Sequence, residues 1–108
     1  MLINLTPHTI VIRLVSNDDI IVPPTAPAAR VAVSSVPAGT TEYCVPLVRQ
    51  EFGEIENLPA PIPGVVYITS TLVAQRAGRP DVVSPDTGPT AIRENGQVVA
   101  VRNLQVFA

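Results

Sequence analysis

The chain predicts a mainly β fold, a small sandwich or barrel-like domain of six to seven short strands with one short helix, folded as a single domain over residues 1–108. Three observations carry this expectation. Apolar residues alternate with polar ones over short runs, the period that sends every second side chain of a strand to one face. Turn signals punctuate those runs about every 8–12 residues, the spacing of small antiparallel folds. Only Ser70–Ala77 has a capped helical pattern. A chain of 108 residues buries roughly two-thirds of its unfolded surface on folding, enough for one core.

The first strand is expected over Thr9–Val15, with Ile10, Ile12 and Leu14 on one face and Arg13 on the other. Ser16-Asn17-Asp18-Asp19 follows as a turn, because short polar side chains bond back to the local backbone. Ile20-Ile21-Val22 returns, and Pro23-Pro24 stops it by withholding ladder donors. A proline- and alanine-rich connection over 25–29 leads to a strand at Arg30–Val36 with Val31 and Val33 inward, then a turn at Pro37-Ala38-Gly39. Thr41, Tyr43, Val45 and Leu47 share a face of the next strand, whose Pro46 marks an edge or a bulge.

Residues 50–64 read as an extended arm or loop, acidic at Glu51, Glu54 and Glu56 and then proline-rich at 59, 61 and 63. Val65–Thr69 is a wholly apolar strand suited to burial on both faces. The helix starts at Ser70 or Thr71 as N-cap and stops at Gly78. Arg79–Pro89 reads as a polar loop, and Asn95-Gly96 as the two-residue type I′ turn of a closing hairpin between Thr90–Glu94 and Gln97–Asn103.

Composition narrows the function. The net charge is −2 with scattered basic residues, so the electrostatic footprint of a duplex nucleic-acid binder is missing. No apolar run approaches a membrane span, and the first residues lack the pattern of a secretory signal. One cysteine cannot form an internal disulfide, which fits a reducing compartment and makes the cytoplasm the expected location. All seven basic residues are arginine, whose planar fork suits carboxylate or phosphate.

The candidate chemistry is sparse. His8 is the only histidine, and Pro7 holds Thr6 extended so that Asn4, Thr6 and His8 project to one side. Cys44 is expected to pack inside its strand rather than act as a nucleophile. One His and one Cys do not make a zinc site, and no cofactor or phosphate-loop motif is present. The strongest constellation joins Thr69, Ser70 and Thr71 at the helix start to Arg79, Asp81, Asp86 and Thr87: backbone donors for an anion, an arginine clamp, and acceptors for ribose or amino groups.

Asn4-Leu5-Thr6-Pro7-His8, with Phe52-Gly53-Glu54-Ile55-Glu56-Asn57-Leu58-Pro59, Ser70-Thr71-Leu72-Val73-Ala74 and Arg79-Pro80-Asp81-Val82, resembles an uncharacterised family of small phage and prophage proteins that open with N-L-T-P-H. The resemblance implies no particular activity; its weight is contextual. Small phage accessory proteins often bind a host component, and some sequester nucleotide signals in symmetric oligomers. The expectation is therefore a non-enzymatic homo-oligomer that captures a small anionic, nucleotide-like ligand in a counter-defence role. The ligand site would be Asn4, Thr6, His8, Ser70, Thr71, Arg79, Asp81, Asp86 and Thr87. The alternative is a virion, assembly or protein-interaction module in which the arm and edge strands bind protein partners; a further one is a small hydrolase using His8.

Overall fold

The computed structural model describes residues 1–25 and 27–108, and it is mainly β with one short helix. Ten strands lie among the described residues: β1 (Leu2–Asn4), β2 (Ile10–Arg13), β3 (Asp19–Val22), β4 (Arg30–Thr40), β5 (Pro46–Glu56), β6 (Val66–Ile68), β7 (Val82–Pro85), β8 (Ile92–Glu94), β9 (Gln97–Ala100) and β10 (Leu104–Val106). The helix α1 (Thr71–Ala77) joins β6 to β7. A four-stranded mixed sheet in the order β1-β6-β7-β10 forms the centre, with β1 and β7 both parallel to β6 and β10 antiparallel to β7. Three hairpins, β2-β3, β4-β5 and β8-β9, complete the fold.

The apolar run at 65–69 is buried on both faces, as its composition requires. Tyr67 packs with Leu5, Ala29, Val31 and Val73 on the helix side of the sheet. Ile68, its neighbour, packs with Ile12, Val22, Val83 and Val101 beneath β2, β3 and β9. Two clusters separated by one sheet therefore replace the single core expected from chain length. Alternation along a central strand divides the apolar residues between two layers.

The helix forms as its caps dictate. Ser70 is N-cap and its hydroxyl accepts a bond from the Val73 amide, while Gly78 takes the left-handed conformation that stops the helix. The Asn95-Gly96 turn has positive φ at both residues, the requirement of a type I′ turn. Asn17 likewise has positive φ in the turn between β2 and β3.

Other elements differ from expectation. Thr41–Val45 is a turn, not a strand, and the strand begins at Pro46, where the missing N–H interrupts no ladder. The acidic stretch at 50–56 belongs to that strand. Val33 is about half exposed rather than inward, because most of β4 runs beyond the body. Within the expected loop at 79–89, Val82–Pro85 is a strand buried between β6 and β10, and its prolines mark its ends. The last expected strand, Gln97–Asn103, stops at Ala100 as β9, and β10 at Leu104–Val106 is a further strand in a different sheet.

Candidate functional site

The N-terminal motif folds into a lock. Asn4 is completely buried, and its side chain makes four hydrogen bonds. Its amide donates to the carbonyls of His8 at 2.7 Å and Val22 at 2.9 Å. Its oxygen accepts from the Thr6 amide at 2.9 Å and the Thr6 hydroxyl at 2.7 Å. These are all the bonds that an asparagine side chain can make, so Asn4 offers no free group to a ligand. Thr6 is also buried and its hydroxyl is turned inward onto Asn4 and the His8 carbonyl. His8 contributes its backbone to this lock and is itself exposed.

The helix start is occupied in the same way. The Ser70 hydroxyl holds the Val73 amide, and Thr71 donates to the buried Ser84 hydroxyl at 3.2 Å. The Thr69 hydroxyl, with one proton to donate, lies 3.0 Å from the Ser70 carbonyl and 3.3 Å from that of Val83. Of the hydroxyls expected to cradle an anion, Ser70 caps α1, and Thr69 and Thr71 tie the helix start to β7.

Arg79 does clamp a carboxylate, but an internal one. Its Nε and Nη2 donate to the two oxygens of Asp81 at 2.9 and 2.6 Å, and its Nη1 donates to the Pro59 carbonyl at 3.0 Å. The fork therefore pins the proline-rich segment against the start of β7. The hydrogen bond from Arg79 holds the Asp81 carboxyl below its ordinary value, while the pair raises Arg79. A depressed carboxyl stabilises the fold above its unfolded pKa of about 3.9 and loses that contribution as the pH falls through its folded value. Arg79→Ala should cost about 1–2 kcal/mol at pH 7, and the difference from wild type should shrink below about pH 4 as Asp81 protonates. Urea denaturation at pH 7 and pH 3 measures both.

Asp86 accepts from the Gly88 amide and from Gln105 at 2.9 and 3.1 Å, and the Gly88 bond is the main cause of its lowered pKa. Thr87 is exposed, with its carbonyl bound by Arg93. The nine expected ligand residues do not gather around one cavity. Thr87 lines a hollow of about 160 Å³ beside β2 and β9, below the roughly 300 Å³ of ordinary ligand pockets. Thr6 lines another, of about 330 Å³, with Pro24 and Thr25. A third, of about 450 Å³, lies between Phe52, Ile55 and Arg76. None of the three is lined by Ser70, Thr71, Arg79 or Asp81.

The larger feature is the β4-β5 hairpin, two strands of eleven residues that among the described residues pair only with each other. At its base Val31 faces Ile55, and both pack on the helix-side cluster. A bulge opposes Ala32 to Gly53 and Glu54, which returns Phe52 to the Ile55 face. The same face then continues outward as Val33 with Phe52, Ser35 with Gln50, and Pro37 with Val48. The Arg76 guanidinium lies 5.9 Å from the Phe52 ring centre, where the arm leaves the body. The opposite face carries Ser34 with Glu51 and Val36 with Arg49. The first face is the more apolar of the two, and its Val33, Val48 and Phe52 are each 43–59% exposed.

Its tip carries Tyr43, which is 84% exposed, and Cys44, which has positive φ and is exposed rather than packed in a strand. The arm makes the molecule long, with a radius of gyration of 16.7 Å against about 13 Å for a compact chain of this length. The alternation of Val31 and Val33 with Phe52, Gln50 and Val48 was the available signal, obscured by the bulge. No family model, curated protein or solved structure matches the chain.

Proposed function

We propose that the protein is a non-enzymatic assembly module whose β4-β5 arm docks onto a protein partner. One observation carries this reading: the sheet face that is core at Val31 and Ile55 runs on into solvent as Val33 with Phe52 and, beyond the Ser35-Gln50 pair, Pro37 with Val48. A two-stranded ribbon is marginal by itself in water, and exposed apolar side chains on an edge-open ribbon mark an interaction site. The resemblance to phage and prophage accessory proteins agrees with an assembly or host-binding role in the cytoplasm, and among the described residues no helix is long and apolar enough to cross a membrane.

Capture of a nucleotide-like anion draws less support from the geometry. Arg79 is neutralised by Asp81, and Asn4, Thr6, Ser70 and Thr71 use their polar groups within the chain. Replacing residues 35–50 with an Asn-Gly turn tests the arm reading. The shortened chain should fold and lose its native assembly in size-exclusion chromatography with light scattering. A shortened chain that assembles as the intact one does would contradict the proposal.

A further inference from the structure

We infer that the occupant of the arm is a second copy of this chain, paired antiparallel along β5 about a twofold axis at Gln50. The inference rests on the interaction reading of the arm and names its partner. Among the described residues both outer edges of the ribbon are unpaired, since β4 and β5 form a two-stranded sheet. The edges are not equivalent. Each strand carries one bulge, β5 at Gly53-Glu54 and β4 between Pro37 and Thr40, but β4 also has Pro37 in its middle, which blunts an edge, whereas β5 is free of proline from Leu47 to Glu56.

The sequence of β5 is complementary to its own reverse. A twofold axis normal to the ribbon keeps both apolar faces on one side, which requires the axis to pass through a residue rather than between two. With Gln50 at the axis, Arg49 stands opposite the partner's Glu51, and Val48 opposite the partner's Phe52. Both kinds of cross-strand pair are favourable, and each occurs twice. Moving the axis one residue either way sets Arg49 against the partner's Arg49, or Glu51 against the partner's Glu51, and like charges directly opposite are destabilising. Neither Arg49 nor Glu51 belongs to an ion pair within its own chain among the described residues. The product is a four-stranded sheet whose apolar face joins Val33, Pro37, Val48 and Phe52 of both copies.

Charge reversal tests this register. Arg49→Glu and Glu51→Arg should each weaken self-association about tenfold, because each places like charges at two symmetry-related positions. Mixing the two variants should yield heterodimers in preference to either homodimer, and the double reversal in one chain should restore the wild-type affinity. Native mass spectrometry reads all three results. A dimer that is lost on shortening the arm but is indifferent to both reversals overturns the β5 pairing and leaves the arm reading standing. A wild-type chain that stays monomeric up to millimolar concentration overturns the second copy as the occupant.

Discussion

Asn4→Asp should lower the unfolding free energy by about 3–5 kcal/mol, a change among the largest that single substitutions produce. The carboxylate has nearly the shape of the amide and keeps its acceptors, so the bonds from the Thr6 amide and hydroxyl survive. It loses both donors, and the carbonyls of His8 and Val22 then face a negative charge in a fully buried site. The Val22 carbonyl ends β3 and the His8 carbonyl precedes β2, so the lock holds the first hairpin to the central sheet. Against a total stability of about 5–15 kcal/mol, such a loss brings the chain close to unfolding. Urea denaturation followed by circular dichroism would show a lower midpoint with an unchanged slope. A variant that unfolds at the wild-type midpoint would contradict the structural role of the motif.

Shortening the arm should produce the opposite pattern, with assembly abolished and the fold retained. Between residues 35 and 50 only Val36 is even half-buried, so the segment contributes little to either cluster. Its removal is a surface change for the body, worth within about 0.5–1 kcal/mol. Ser34 and Glu51 stand directly opposite, which lets a tight turn join them. The bulge at Gly53 and the contacts of Val31 and Ile55 remain. Thermal melting of the shortened chain should fall within a few degrees of wild type, whereas its mass in solution should be that of one chain. A collapse in melting temperature would show that the arm supports the body instead.

Local signals were legible where local chemistry decides. Ser70, Gly78 and Asn95-Gly96 took the conformations their residue types require, because caps and tight turns depend on one or two backbone angles. Val65–Thr69 showed its double burial through an unbroken apolar run. The strand Val82–Pro85 was hidden because it is short and bounded by prolines, and its burial comes from β6 and β10, which are distant in sequence.

The arm was hidden for a related reason. The bulge at Ala32 and Gly53 breaks strict alternation, so two matched halves of one hairpin looked like a strand and an acidic loop. A residue's type shows which bonds its side chain can make but not which partner takes them. Arg79 has the donors for an external anion, but Asp81 lies two residues away in the chain and takes them. Asn4, Thr6 and His8 do come together, as a network closed on itself.

Backbone hydrogen exchange of the intact chain at increasing concentration tests the arm most directly. Amides in residues 47–56 should become protected as concentration rises, while the protection of Tyr67, Ile68 and Val83 stays constant. An arm that exchanges as fast as an unstructured peptide at every concentration, beside a protected body, would contradict it.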